Sequence, residues 1–298
     1  MSTFLSAELA SQPQIWQAVA NRVDEVRSLL PQRGERVAAV GCGTSWFMSQ
    51  AYAARREQLG HGETDAFTAS EFPLGRNYDR VVLITRSGTT TEVVRLLDDL
   101  KADGRRHVSI VATPDTPVAD QAQDTLLLPE ADEQSVVQTR FATSALAALR
   151  LSLDEDLTPA ITQAQRYVDA SDSELLAGLA DAEQVTFLGT GFSIGLAHEA
   201  ALKLREAAQF WTESYPAMEY RHGPISIAAP GRVVWVLGEI PEGLADDVRA
   251  TGAHLEHVPG ADPMAELVRV HRYSLLRATL AGVDPDAPRN LTRSIILT

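Results

Sequence analysis

Apolar positions along the chain fall into two patterns, short continuous runs and longer stretches at helical spacing. Leu9, Ile15, Trp16, Val19, Val23, Val26 and Leu30 recur at helical intervals, which predicts a helix over roughly residues 6–30, ended by Pro31 and Gly34. Val37 to Val40 is the first continuous run and leads into Gly41-Cys42-Gly43-Thr44-Ser45. Val81 to Ile84 is the second and leads into Thr85-Arg86-Ser87-Gly88-Thr89-Thr90, after which Thr91 to Ala102 reads as helix. Val108 to Ala112 and Thr125 to Leu128 complete the set in the first half. Short apolar strands alternating with helices predict a parallel sheet covered on both faces.

The pattern then recurs. Val185 to Ser193 repeats strand, Gly-x-Gly-x-Ser and helix, 148 residues after Val37 to Ser45, and Val233 to Leu237 stands near the counterpart of Val81 to Ile84. The economical expectation is a duplicated, doubly wound α/β unit joined near residues 152–175. One feature is not repeated. Where the first half has Thr85 to Thr90, the second has Gly238-Glu239-Ile240-Pro241-Glu242, so carboxylates and a proline replace hydroxyls.

Composition narrows the function classes. The 298 residues are 45% apolar and 22% charged, which excludes a disordered chain or a simple fibre, and the net charge of −14 argues against nucleic acid as a partner. Cys42 is the only cysteine, so an intrachain disulfide framework and a cysteine metal cluster are excluded. Residues 1–14 lack a basic segment and a long apolar core, and no apolar run reaches about 18 residues. The expectation is a cytoplasmic protein with no signal peptide and no membrane span. Lys101 and Lys203 are the only lysines among 26 basic residues. A lysine kept in so arginine-rich a chain suggests a need for a compact ammonium.

Three segments carry candidate chemistry. Thr85 to Thr90 lies at the carboxyl end of a predicted strand and opens a helix. Its four hydroxyls and one glycine suit a phosphate monoester, or they are an ordinary helix cap with polar turn residues. Neither Gly-x-Gly turn has the third glycine of a dinucleotide fingerprint, and no cofactor is expected. Glu199, Lys203 and Glu206 share one face of a helix whose other face carries Ala197, Ala201, Leu204, Ala208 and Trp211. That face is either a working constellation or a solvated surface row. His222, before Gly223-Pro224, could serve as an acid or base, or simply be solvated. His254 and His257 have metal-like spacing without a third ligand, so no metal is expected.

These motifs occur in a telling order: the two Gly-x-Gly-x-Ser turns, Thr85 to Thr90, Glu199-x-x-x-Lys203-x-x-Glu206, Arg221-His222-Gly223-Pro224 and Pro288-Arg289-Asn290-Leu291. The chain thereby resembles a tandem SIS (sugar isomerase) protein, in particular the isomerase half of glutamine–fructose-6-phosphate aminotransferase and its stand-alone isomerase and deaminase relatives. Glu8 to Pro13 is similar to that family's opening. The resemblance implies two flavodoxin-like domains, residues 1–160 and 161–298, and a sugar phosphate as substrate. It implies that Ser45, Thr85, Arg86, Ser87 and Thr90 hold the phosphate, with Arg86 where the family often has Gln. It further implies Glu206 as the proton-moving carboxylate and Lys203 and Val136 as sugar contacts. His222 would be the ring-opening histidine, supplied across a homodimer interface.

Two departures qualify this. No glutaminase segment or catalytic cysteine after Met1 is found in this sequence, so ammonia from glutamine is not expected. Arg293 stands where the synthase has a lysine, and a guanidinium forms no Schiff base. The expected function is therefore isomerisation of an amino sugar 6-phosphate coupled to loss of ammonia. A fructosamine-phosphate deglycase and a non-catalytic sugar-phosphate sensor are the alternatives.

Overall fold

The computed structural model describes residues 3–297. By contact the chain forms two compact units that interleave in sequence. One comprises Gln14–Gln134, Gln138–Leu157 and the segment from Thr292 onward; the other comprises the chain up to Pro13, Ser135–Val137 and Thr158–Leu291.

The first of these units is built on five parallel strands, β1 (Val37–Gly41), β2 (Thr64–Thr68), β3 (Arg80–Thr85), β4 (His107–Val111) and β5 (Asp124–Leu127), in the order β2-β1-β3-β4-β5. β1, β3 and β4 are buried along their whole length, as continuous apolar runs require. Ala38, Val40, Val81 and Leu83 pack under Val93, Leu96, Leu97 and Leu100 of the helix Thr91–Ala102. Val37, Ala39, Val82 and Ile84, pointing the other way, are equally buried, so both faces are covered.

The second unit carries four parallel strands, β6 (Gln184–Gly189), β7 (Thr212–Pro216), β8 (Arg232–Leu237) and β9 (His254–Glu256), in the order β7-β6-β8-β9. Leu188, Val234 and Val236 meet Leu244 and Val248 of the helix Leu244–Ala250 on one face. On the other, Phe187, Trp235 and Tyr273 form a chain of rings with centroids 5.7 and 6.0 Å apart, which seats the helix Pro263–Ala281.

The single helix predicted over residues 6–30 is instead three, Phe4–Ala10, Gln12–Ala20 and Val23–Leu29. Pro13 has no N–H to continue the first, and proline is tolerated only in the opening turn of a helix, which is where it sits in the second. Among the described residues no helix is long and apolar enough to cross a membrane.

The two Gly-x-Gly-x-Ser segments adopt one geometry. Each follows the strand that lies between two neighbours (β1 or β6), and each helix is capped by a glycine with φ of 54° and ψ near −120°, Gly43 in one and Gly191 in the other. The preceding glycine allows the helix to start against the strand. A Cβ on Gly41 would lie 2.6 Å from the Ser45 carbonyl carbon, and one on Gly189 would lie 2.2 Å from the Ser193 carbonyl oxygen. Gly41→Ala is expected to lower the unfolding free energy by at least about 2 kcal/mol. Gly75→Ala, with nothing within 4 Å of its added methyl, should stay within about 0.5 kcal/mol. Urea midpoints at constant m-value measure both.

Candidate active site

At the carboxyl end of β3 the chain turns through Thr85, Arg86, Ser87, Gly88, Thr89 and Thr90 into the helix Thr91–Ala102. The turn is pinned from the neighbouring segment: the Ala112 and Thr113 amides both donate to the Arg86 carbonyl at 3.1 Å, and the Val118 amide donates to that of Gly88 at 3.1 Å. Thr85 and Ser87 are buried, and Thr90 is half-buried. Together with Cys42, Ser45, Gln138 and Arg293 they line one small cleft. Sequence reasoning placed Ser45, Thr85, Arg86, Ser87 and Thr90 at a phosphate site and Arg293 at the position of the synthase lysine, and the structure brings these six together. Arg86 is also committed inward. Its guanidinium, 1% exposed, lies 3.5 Å from the equally buried Glu133. Burial pushes it below its ordinary value, and Glu133 opposes that shift. Glu133 is itself held by the amides of Thr139 and Arg140, each at 2.7 Å.

The segment after Asn290 runs over this loop. The Ser294 hydroxyl lies 3.2 Å from that of Ser87, 3.0 Å from that of Thr89 and 3.4 Å from that of Thr90. Arg86 donates to the Arg293 carbonyl at 3.2 Å, Thr91 N–H donates to the Ile295 carbonyl at 3.1 Å, and Leu297 N–H donates to the Thr91 hydroxyl at 2.9 Å. The Arg293 side chain is ion-paired with Asp132. Three hydroxyls thus gather around that of Ser294 at the start of the helix Thr91–Ala102, a set of donors of the kind an anionic oxygen group needs.

The matching turn in the other unit is spent differently. Ser193 Oγ accepts from Thr190 N–H at 2.8 Å and donates to the Leu237 carbonyl at 2.7 Å, which ties the turn to the end of β8. That hydroxyl is consumed by structure, and the Glu239 to Glu242 segment that follows adds carboxylates.

The helix Phe192–Ala208 places Glu199, Lys203 and Glu206 on one face, and the surface reading of that face is wrong for two of the three. Lys203 and Glu199 side chains are each 1% exposed, whereas Glu206 keeps 19%. Lys203 Nζ lies 3.4 Å from Glu199 Oε1 and 2.5 Å from Glu206 Oε2. A buried ammonium is tolerated only beside negative charge, and removing one partner of such a pair costs on the order of 3–5 kcal/mol. Glu206 is the carboxylate that solvent reaches, and so the one a substrate can reach. Trp211, expected on the apolar face, lies beyond the helix end and is exposed. His222 is exposed at the end of a separate turn, Glu219–His222, and among the described residues no hydrogen bond or ion pair joins it to the row. Val136 is half-buried within the excursion Ser135–Val137. His254 pairs with Glu256, and His257 meets the Gly238 carbonyl.

Behind Lys203 lies a residue the sequence did not flag, His271 on the helix Pro263–Ala281. It is fully buried, and Gln12 Nε2 lies 3.1 Å from its Nδ1. The same Gln12 nitrogen lies 3.2 Å from the Leu9 carbonyl, which can only accept, so the amide is oriented and donates to both. His271 is therefore the neutral Nε2–H tautomer. Burial, and then the Lys203 charge, pull its pKa down to about 3.

Residues 29–153 match the SIS domain. Over 92% of its length the chain is 25% identical to a glutamine–fructose-6-phosphate aminotransferase of Sulfurisphaera tokodaii, and over 98% it is 27% identical to that of Methanothermobacter thermautotrophicus. The alignments take in 52% and 57% of those proteins, so the chain spans little more than half the length of these curated relatives. In fold it is similar to a glucosamine-6-phosphate deaminase of Thermotoga maritima, with a TM-score of 0.87, 22% identity and coverage of 99% and 100% of the two chains. It is also similar to tagatose-6-phosphate ketose/aldose isomerase of Escherichia coli, with a TM-score of 0.79, 18% identity and coverage of 98% and 97%. The SIS match takes in all five strands of the first sheet and the hydroxyl loop.

The buried imidazole makes stability depend on pH in a defined direction. Above its ordinary value of 6.5, His271 is neutral in both folded and unfolded chains and contributes no pH dependence. Below that, the unfolded chain takes a proton that the folded site refuses. Its contribution is full above pH 6.5 and is lost toward pH 3, at up to about 1.4 kcal/mol per pH unit. His271→Gln should remove that slope, read as the difference between wild-type and variant urea unfolding at pH 7.5, 6, 5 and 4. Equal slopes would contradict neutral burial.

Proposed function

We propose that the chain is an enzyme of two duplicated SIS units, each with its own parallel sheet, that isomerises and deaminates an amino sugar 6-phosphate. The observation that carries the substrate class is the single cleft lined by Ser45, Thr85, Ser87 and Thr90 at a helix N-terminus. The family match over that segment and the fold likeness to sugar-phosphate enzymes support it. In this reading the division near residue 160 is the join of the duplication, and the second unit gave up its anion loop to carry the Glu199–Lys203–Glu206 row.

The chemistry follows from that row. Once the sugar ring is open, Glu206 takes the C2 proton and returns it to C1, passing through an enolamine. Water then adds to C2 of the resulting imine and ammonia leaves, so an amino sugar phosphate and water give a ketose phosphate and ammonia. Lys203 orients Glu206 and the sugar, and Val136 contacts the sugar from its backbone. Arg86 and Arg293, held by Glu133 and Asp132, supply fixed positive charge without forming an imine. The enzyme is a cytoplasmic homodimer in which His222 opens the sugar ring in the partner's site.

Ammonia release across a panel of hexosamine phosphates identifies the substrate. Glu206→Gln preserves shape but removes the base, so turnover should fall about 10²-fold or more while the sugar phosphate still binds. Full turnover in Glu206→Gln would defeat the assignment of Glu206 as the base, whereas wild type that binds sugar phosphates and turns over none of them would favour a sensor. Release of an amino acid from fructosamine phosphates, with none of ammonia from hexosamine phosphates, would make the enzyme a deglycase.

The homodimer has its own test. Mixing inactive His222→Ala with inactive Glu206→Gln should restore part of the activity in hybrid dimers. Absence of rescue despite proven subunit exchange would return His222 to its own subunit.

A further inference from the structure

Glu8, on the helix Phe4–Ala10, is a carboxylate buried to 4% exposure. Its two oxygens take both polar groups of one residue, Ser135: Oε1 accepts from the Ser135 amide at 3.3 Å, and Oε2 accepts from the Ser135 hydroxyl. Burying a carboxylate is costly unless donors meet it, and a pure packing contact would call for an apolar side chain. What the carboxylate adds is direction. Two bonds from one rigid group fix both the place and the peptide plane of Ser135.

Ser135 begins the excursion Ser135–Val137, whose flanking residues, Gln134 and Gln138, belong to the other unit. Its far end is gripped too. Val137 packs with Leu5, from the same helix as Glu8, and with Ala207, which follows Glu206. The helix is itself anchored. Asp286 accepts from the Phe4 and Leu5 amides at 2.7 and 2.8 Å, and Thr3 caps it through Ser6. Between the two grips lies Val136, half-buried between fully buried neighbours.

We infer that Glu8 is a positioning residue for the substrate: through Ser135 it holds the Val136 backbone in register with the end of the Glu206 helix and so places the sugar, while leaving the phosphate untouched. This rests on the sugar-phosphate reading above. It separates two functions along the chain, with phosphate affinity set by Thr85 to Thr90 and sugar placement set from the N-terminal helix.

The test compares two ligands on the same proteins. Dissociation constants for inorganic phosphate and for the best hexosamine phosphate are measured by calorimetry in wild type, Glu8→Gln and Ser135→Ala, alongside melting temperatures and turnover. Glu8→Gln keeps the shape but cannot accept both bonds. It should weaken hexosamine phosphate about tenfold or more and lower turnover, with inorganic phosphate affinity unchanged. Ser135→Ala removes only the hydroxyl and should move the same ratio in the same direction; it carries the test if Glu8→Gln does not fold. Glu8→Asp, which keeps both oxygens, should recover part of the sugar affinity. Equal losses for both ligands, tracking the melting temperature, would make Glu8 merely structural and overturn the inference. So would an unchanged ratio in both variants when wild type binds hexosamine phosphates. Wild type that binds none of them overturns the sugar-phosphate reading and this inference with it.

Discussion

An ammonium group taken out of water must find negative charge within a few ångströms, and Lys203 finds it in Glu199 and Glu206. Much of its unit is arranged to keep that arrangement dry on one side and open on the other. The helix Pro263–Ala281 brings up an imidazole that stays neutral, so it adds no positive charge beside Lys203. Gln12, from the N-terminal segment, fixes the tautomer of that imidazole. The outer side ends at Glu206, the one member of the row with solvent access. A gradient of exposure along a single helix face thus separates a buried carboxylate from one that solvent reaches.

The central strands were legible because a strand buried on both faces has little choice but to be apolar. Val37 to Val40, Val81 to Ile84, Val185 to Leu188 and Val233 to Leu237 all lie within strands of the two sheets. The strands Thr64–Thr68, Thr212–Pro216 and His254–Glu256 went unread for the complementary reason. Each lies at a sheet edge and is half-buried or exposed over most of its length, so its composition is mixed. Helical spacing across residues 6–30 was a true signal of buried faces, but spacing does not register where one helix gives way to the next, and Pro13 supplied the first of two such breaks.

The candidate site divides in the same way. Local signals marked Ser45, Thr85, Ser87 and Thr90, since loop chemistry at a strand end is contiguous in sequence. The scarcity of lysine marked Lys203, whereas apolar periodicity pointed to a solvated face because it cannot detect a core built from paired charges. Glu133, Ser294 and His271 carried no signal, and Glu8 stood out only as part of a family-like opening, with nothing to say what it meets. Glu8 meets Ser135 across 127 residues and Ser294 meets Ser87 across 207, and neither pairing leaves a trace in spacing or composition.

The interleaving of the two units sets an order on synthesis. The unit holding Glu206 needs residues before Pro13, the excursion Ser135–Val137 and the stretch from Thr158 to Leu291, so its contacts cannot all form until nearly the whole chain has left the ribosome. The unit holding the hydroxyl loop draws its last segment from residues beyond Leu291. Translation therefore delivers neither unit as a finished N-terminal domain that folds while the other is still being made. A nascent chain stalled near residue 150 would hold every strand of the first sheet and none of the second, yet still lack the segment beyond Leu291 that lies over the hydroxyl loop.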